Sequence, residues 1–175
     1  LYLAAGWLIV GQLAWSQPLP EVAFAGFAFS GAGSTIATRF PQSDRYAKRL
    51  EASGTTVGQQ LKRHLDAAAP SHLTIVPQLE ALKGRDQALA VALVIGSETV
   101  CVEQFDERHK LMVLIRGQAM FFDFKSMNVV RSYPLSFAFV DTLNHVPGMD
   151  EIQAAVHSVY EGVGDKQGLF SRFSQ

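Results

Sequence analysis

The chain has 175 residues, which is enough for one domain with a substantial hydrophobic core and too few for two ordinary domains. Hydrophobic residues make up 48% of it and charged residues 18%, so an intrinsically disordered chain is excluded. Its 15 Lys and Arg nearly balance its 16 Asp and Glu for a net charge of −1. No basic stripe carries interleaved aromatic residues, so we do not expect nucleic acid as a partner.

The N-terminal segment predicts export. Residues 1–16 (LYLAAGWLIVGQLAWS) are predominantly apolar, about as long as the core of a signal peptide, and shorter than the ~20 residues that span a bilayer. Ala14 and Ser16 are small residues at the −3 and −1 positions of a cleavage after Ser16. We therefore interpret residues 1–16 as a signal peptide, whose start lies upstream because a Met and a basic region are missing. Residues 17–175 are then one mature domain, without a lipid anchor because no cysteine directly follows the cleavage site.

Two strands and two helices are predicted next along the chain. Val22–Phe29 has the pattern of a buried strand, in which Phe and small residues alternate, and a loop rich in Gly, Ser and Thr follows it. Ser43–Ala52 has the apolar spacing of a short helix. Thr56 and Gln59 form a capping box for a second, amphipathic helix. His72–Val76 is typical of a second strand.

The remaining sequence predicts helix and then a meander of strands. Leu79–Leu82 and the Ala-rich Asp86–Ile95 are predicted helices, the latter closed by Gly96. The apolar period then changes to two, which predicts three strands before a final amphipathic helix at Met149–Val163. The predicted strands are residues 98–105, 111–124 and 129–140, with turns at Asp106–Lys110 and Lys125–Asn128. The order β-α-α-β-α-β-β-β-α predicts a single α/β domain with a mixed sheet of about five strands covered by helices.

The glycine-rich loop at residues 30–35 resembles a phosphate-binding loop at first sight. Gly31 and Gly33 match the first two glycines of a dinucleotide fingerprint, but Ile36 stands where the third is required for close helix packing. A P-loop requires a Gly-Lys pair, and the sequence contains none. We therefore predict no phosphate site, and interpret the glycines as a tight exit from the first strand.

The other motifs favour a protein that is not an enzyme. The five histidines are 8, 37, 36 and 12 residues apart, which is not the spacing of a zinc site. Cys101, the single cysteine, lies in a predicted strand, where a free thiol behaves as a small hydrophobic residue. A nucleophile elbow is absent, and the acidic pairs fall in a turn and at a helix start. We predict no catalytic residue, no cofactor and no metal.

Residues 111–124 (LMVLIRGQAMFFDF) are apolar on both faces of the predicted strand. A sheet covered on one side alternates apolar with polar residues. Either helices cover both faces, as we expect, or part of one face contacts another subunit.

The order of elements in residues 22–140 resembles a domain shared by the curli-secretion lipoprotein family and the amino-terminal domain of TolB. The segments that carry the resemblance are VAFAGFAFSG, TTVGQQLKRHL, LTIVPQ, ALVIGSE and LMVLIRGQAMFFDFKSMNVVRSYPL. Asp123, Ser126 and Val129-Val130 stand where that family has an Asp, a Thr-Gly turn and a Val-Val strand. Met127 replaces the turn glycine, so we expect Asn128 to take the left-handed conformation. The family's lipoprotein cysteine is absent, and segment 34–53 has no counterpart.

The resemblance implies a periplasmic, non-catalytic domain that assembles with copies of itself or with other envelope proteins. Relatives serve secretion pores, polysaccharide export, flagellar rings and the activation of wall synthesis, and no functional residue is carried over. We accordingly expect an assembly or interaction domain of a Gram-negative envelope complex. It would be periplasmic, with peripheral outer-membrane association an open option and no membrane-spanning helix in the mature chain.

Two alternatives remain open. The first is a small ligand-binding protein or enzyme whose site lies at the carboxyl ends of the strands, where Ser30–Thr35 would face Asp141 or His145. The second is a cytoplasmic protein that retains residues 1–16 as a buried first helix.

Overall fold

The computed structural model describes residues 19–76 and 88–175. Within them, five strands form one mixed sheet in the order β2-β1-β3-β4-β5, and two short strands, β6 and β7, pair near the C-terminus. The predicted signal peptide at 1–16 and the predicted helix at Leu79–Leu82 lie outside the described residues. The strands are β1 Glu21–Phe29, β2 Thr74–Val76, β3 Leu89–Phe105, β4 Arg108–Asp123, β5 Asn128–Leu143, β6 Gly162–Val163 and β7 Lys166–Gln167. The helices are α1 Ile36–Arg39, α2 Pro41–Ala52, α3 Val57–Ala68, α4 Met149–Glu161 and α5 Leu169–Phe173.

The predicted α/β class and mixed sheet are confirmed. β1 pairs in parallel with β2 and β3, whereas β3 with β4 and β4 with β5 pair antiparallel. The capping box that begins α3 is present, since the Thr56 hydroxyl accepts from the Gln59 N–H and the Gln59 side chain accepts from the Thr56 N–H. The three meander strands are present and are longer than predicted.

Residues 89–95 are strand, and the helix predicted there is wrong. Leu89–Ile95 forms the first half of β3 and pairs with β1 on one side and β4 on the other. Alanine favours a helix in isolation, but this segment lies at the centre of the sheet, where pairing on both sides overrides local propensity. Gly96, predicted to end the helix, lies instead at a β-bulge, because the register with β4 shifts between Ile95 and Ser97.

One face of the sheet carries the hydrophobic core. All five helices contribute residues to this core, and the sheet contributes buried residues such as Leu93, Ile95, Val113 and Ile115. Tyr160 of α4 is fully buried at its centre and stacks on Tyr46 with ring centroids 4.8 Å apart. We call this the helix-covered face.

Two bulges keep the apolar side chains on the helix-covered face. In β1 the register shifts between Phe24 and Gly26, whose φ is +107°, so Phe24, Phe27 and Phe29 all pack against the core. In β3 the shift at Gly96 has the same result. The residues that face the helices are Val91, Leu93 and Ile95 before it and Glu98 and Val100 after it.

The opposite face, which we call the open face, differs from expectation. Helices were expected on both faces, but within residues 19–76 and 88–175 they lie only on the helix-covered face. Met112, Leu114 and Met120 of β4 are half-buried on the open face. A small second cluster of Ala23, Ala88 and Ala90, with Val76 and Phe122, lies at one end of it. The double-sided apolar pattern of β4 therefore reflects a core on one face and a partly exposed apolar surface on the other.

Candidate interaction surface

The most exposed apolar part of the sheet is its edge at β5. This strand is 16 residues long and ends the strand order, so β4 is its sole neighbour in the part of the chain that the structure describes. An edge strand presents a row of unpaired N–H and C=O groups, which is a template for pairing with another strand. The opposite edge is formed by β2, which has three residues.

Apolar side chains of β5 are unusually exposed. The exposed fractions are 56% for Val129, 62% for Val130, 46% for Tyr133 and 56% for Val140. On the helix-covered face, Leu135, Phe137 and Phe139 are half-buried against the edge of the core. Natural sheets usually protect long edges with charges, proline, bulges or short strands, and in its 16 residues β5 has one bulge, one proline and two charged residues, so this protection is sparse. An exposed apolar edge of this length is therefore a candidate binding surface.

The charged residues of β5 are Arg131 and Asp141. The Arg131 Nη1 donates to the Tyr133 hydroxyl at 3.2 Å, and this hydrogen bond raises the pKa of Arg131. The Asp141 carboxylate accepts from the N–H of Thr142 at 2.8 Å. Neither residue has an ion-pair partner within the described residues. Two opposite charges thus lie ten residues apart on one exposed strand, and neither forms an ion pair with a described residue.

The turn between β4 and β5 corrects one expectation. Met127 has a φ of +56° and takes the left-handed conformation that we predicted for Asn128. The Asp123 carboxylate holds the turn, accepting from the Ser126 hydroxyl at 2.7 Å and the Lys125 N–H at 3.1 Å, and these bonds lower the pKa of Asp123. Phe124 and Met127 are exposed here and extend the apolar edge beyond the end of β5.

The glycine-rich loop is closed by a side chain of this protein. Gly31 has a φ of +102°, and the Arg39 Nη1 donates to the Ser30 carbonyl oxygen at 2.8 Å. Residues with a Cβ rarely adopt this φ, so the backbone conformation of the loop favours glycine at position 31. The loop therefore makes the tight exit that the sequence predicts.

The loop does not meet the residues proposed to face it in the ligand-binding alternative. The Ser30 N–H donates to the Ile95 carbonyl, and Ile95 lies on one cross-sheet row with Gly117 and Leu135. Asp141 is six residues further along β5, which is about 20 Å at ~3.3 Å per residue. His145 bonds instead to Asn144 and Glu151, and the N–H of Gly148 together with His145 lowers the pKa of Glu151.

Several polar groups buried in the helical layer are paired with one another, whereas the Gln153 Oε1 of α4 has no hydrogen-bond partner among the described residues. The buried Tyr160 hydroxyl donates to the Ser43 hydroxyl at 2.9 Å. The Glu98 carboxylate accepts from the backbone N–H groups of Gln42 and Ser43 at 2.8 and 2.6 Å, so a β3 side chain caps α2. Ser43 is fully buried, so its hydroxyl cannot reach a substrate and its role is structural.

A second polar cluster joins three helices. Glu161 of α4 accepts from the Tyr46 hydroxyl of α2 at 3.0 Å and lies 2.7 Å from the His64 Nε2 of α3. Burial raises the pKa of the Tyr46 hydroxyl far above its usual 10.0, and the Glu161 charge raises it further. Tyr46 therefore stays protonated and serves as a donor that fixes α2 to α4.

Cysteine and histidine side chains do not converge. Cys101 is half-buried on the open face, opposite Met112, with its Sγ 3.6 Å from a Glu103 carboxylate oxygen. It thus lies at the surface of the predicted strand's open face and not in the helix-covered core. Among the described residues, no three His, Cys, Asp or Glu side chains are grouped as metal ligands would be.

A groove of about 490 Å³ opens on the helix-covered face beside β5. It lies between α3, α5 and an end of the sheet that the described helices do not cover. Its walls are mainly apolar and include Leu65, Val91, Phe121, Tyr133, Leu135 and Phe173. Tyr133 and Leu135 belong to β5 as well, so the groove is continuous with the exposed edge.

In the part of the chain that the structure describes, every helix is too short or too polar to cross a bilayer.

The edge surface was not identifiable from the sequence, because strand order depends on which distant strands pair. The one available signal was the two-sided apolar pattern around residues 111–124, which indicated a subunit contact without locating it.

No known protein family and no curated protein matches this chain. Several solved structures resemble it in part. The hypothetical protein CT253 from Chlamydia trachomatis has 10% identity and a TM-score of 0.37, over 69% of this chain and 73% of that one. A putative neuraminyllactose-binding hemagglutinin homolog from Helicobacter pylori has 12% identity and a TM-score of 0.41, over 80% and 78%. The lipoprotein GNA1162 from Neisseria meningitidis has 8% identity and a TM-score of 0.31, over 79% and 96%. Likenesses of this degree carry no information about function.

Proposed function

We propose that this protein is an exported, non-catalytic assembly domain of a Gram-negative envelope complex, and that it binds its partner through β5. The observation that carries the proposal is the 16-residue edge strand with exposed Val129, Val130, Tyr133 and Val140. The apolar N-terminal segment supports export. The resemblance of residues 22–140 to envelope domains agrees with both.

Strand addition explains why the edge is long and apolar. A partner strand would satisfy the outward N–H and C=O groups of β5, and each such hydrogen bond contributes about 0.5–1.5 kcal/mol. Burial of the exposed valines would add about 25 cal/mol for each Å² removed from water. In the helical layer the buried hydroxyls of Tyr160 and Ser43 and the Glu98 carboxylate are already paired within the chain, which leaves the exposed edge as the recognition surface.

The proposal is tested by the N-terminus and native mass of the protein from fractionated cells. Intact mass spectrometry of the periplasmic and membrane fractions should find a chain that begins at Gln17, in a complex heavier than one subunit. The Val140→Lys variant places a charge in the proposed interface and should release the chain from that complex. Val146→Lys, at a similarly exposed valine outside β5, should not. A cytoplasmic monomer that keeps residues 1–16 would contradict the proposal.

A further inference from the structure

We propose that the partner at β5 is a second copy of this chain, paired antiparallel about a two-fold axis that passes through Ser136. This inference rests on the proposed assembly function and names its partner. It follows from the distribution of charge along β5.

Two-fold symmetry restricts the registers that an antiparallel pair of β5 strands can adopt. Residues directly opposite each other in antiparallel strands point to the same face of the sheet. The helix-covered face of β5 carries odd-numbered residues, such as Leu135, Phe137 and Phe139. A symmetric pair must therefore place odd residues opposite odd residues, and the axis passes through one residue.

Charge selects one of these registers. Arg131 and Asp141 are both odd-numbered, and each lies five residues from Ser136. An axis through Ser136 places Arg131 of each copy opposite Asp141 of the other, which forms two cross-strand ion pairs. Moving the axis to Leu135 places Arg131 opposite Phe139, and moving it to Phe137 places Arg131 opposite Leu143. Both shifts leave the charges unpaired within an apolar surface, which is costly.

The remaining side chains are compatible with the Ser136 register. On the helix-covered face, Tyr133 lies opposite Phe139, and Leu135 opposite Phe137, which are favourable apolar and aromatic cross-strand pairs. On the open face the residues beside the axis are small, which lets two strands approach. Pro134 lies opposite Ala138 and removes at most one donor from each copy, as proline at a sheet edge does.

The dimer would continue the sheet across the axis and so remove the exposed edge. The ten-stranded sheet that results is at the upper end of the usual range of about 2–10 strands. In this arrangement both helical layers lie on the same side of the sheet, because the axis is perpendicular to it. The helix-covered grooves beside Tyr133 and Leu135 then open toward the partner's Phe137 and Phe139.

A disulfide at the axis tests the register directly. In a Cys101→Ala background, Ser136→Cys places two thiols opposite each other, with a Cα separation of about 4.5–5.5 Å that a disulfide requires. Mild oxidation should link most of the protein into dimers on a non-reducing gel. The matched control is Ser132→Cys, whose two copies lie about 27 Å apart in this register, at ~3.4 Å per residue. When oxidised alone, the Ser132→Cys chain should run as a monomer on the non-reducing gel. When mixed with a Val140→Cys chain, it should form a cross-linked dimer.

Charge exchange provides an independent test. Arg131→Glu should raise the dimer Kd at least about tenfold, measured by analytical ultracentrifugation. The double variant Arg131→Asp with Asp141→Arg should restore the Kd to within about threefold, because the ion pairs re-form with reversed polarity. Arg45→Glu, which makes the same charge change on the exposed surface of α2, should leave the Kd unchanged.

The outcomes separate this inference from the assembly function on which it depends. Cross-linking at Ser136 and not at Ser132, with rescue by charge exchange, establishes the two-fold dimer. A folded Ser136→Cys chain that does not link to itself overturns the two-fold dimer with its axis at Ser136. If that chain still occurs in a heavier envelope complex, the assembly function stands with a different partner. A native monomer in every fraction overturns both.

Discussion

The helix-covered face and the β5 edge belong to one sheet, yet they differ in how completely their groups are satisfied within the chain. On the helix-covered face the Tyr160 hydroxyl, the Ser43 hydroxyl and the Glu98 carboxylate all find partners from other elements. At β5, Arg131 and Asp141 have no ion-pair partner in the described structure, and the exposed valines contact solvent.

This difference separates residues that stabilise the fold from residues that are available for binding. A side chain with partners on several elements contributes to the free energy of unfolding, and its replacement disturbs the fold. A side chain on an unpartnered edge contributes little to that free energy, and its replacement changes association. Mutations on the two surfaces should therefore be separable by experiment.

The largest contrast is expected for aliphatic truncations. Ile115→Ala removes a fully buried side chain from the helix-covered face and should lower the free energy of unfolding by about 2–5 kcal/mol. Val140→Ala on β5 should change it by less than about 0.5 kcal/mol, because this valine is 56% exposed. Urea denaturation followed by circular dichroism measures both. Comparable losses at the two sites would remove the distinction between the surfaces.

Alkaline pH should lower the free energy of unfolding through the buried tyrosines of the helix-covered face. Burial raises the pKa of both Tyr46 and Tyr160 above the usual 10.0. The unfolded chain loses these protons near pH 10 while the folded chain keeps them, so their contribution to stability is complete below pH 10 and is lost above it. The free energy of unfolding should fall by about 1.4 kcal/mol per pH unit for each tyrosine.

Urea titrations between pH 8 and 11.5 test this slope. Tyr46→Phe should remove one tyrosine's share of it, and a slope unchanged by this variant would show that Tyr46 is not protected from ionisation. Tyr133→Phe, which alters an exposed tyrosine of β5, is the matched control and should preserve the slope.

The smallest effect is expected at the turn that leads into β5. Met127 has a φ of +56°, a conformation that costs a non-glycine residue about 1 kcal/mol. Met127→Gly should therefore raise the free energy of unfolding by about 0.5–1 kcal/mol in urea denaturation. Met127→Ala trims the same side chain and keeps the unfavourable backbone angle, so it should produce no gain. An equal gain in both variants would assign the effect to the exposed side chain.

Much of the fold was predictable because its signals are local. The capping box at Thr56 and Gln59 and the period-two pattern of the three meander strands depend on residues close in sequence, and both predictions are confirmed. The wrong prediction at residues 89–95 arose because alanine is favourable in a helix and less common in strands. The segment is a strand because β1 and β4 flank it, and no local pattern contains that information.

The candidate surface was less predictable for the same reason. β5 was recognised as a strand. Its position at the edge depends on the strand order β2-β1-β3-β4-β5, which the pattern of apolar and polar residues in the sequence does not specify. The left-handed residue of the hairpin was misplaced by one position. Met127 adopts it because the Asp123 carboxylate binds Lys125 and Ser126 and thereby fixes the turn.

The bulge at Gly96 changes which residues of β3 face the helices along the rest of the strand. Before it, odd-numbered residues are directed to the helices, and after it even-numbered ones are, so one extra residue shifts the phase of the whole downstream strand. Across from it, a Cβ on Gly117 would lie 2.8 Å from the Val94 carbonyl oxygen, so β4 requires a glycine opposite the bulge. If Gly96 were instead paired as a regular residue of the ladder, Glu98 would turn away from α2 and Val100 away from the core, although the sequence would be the same.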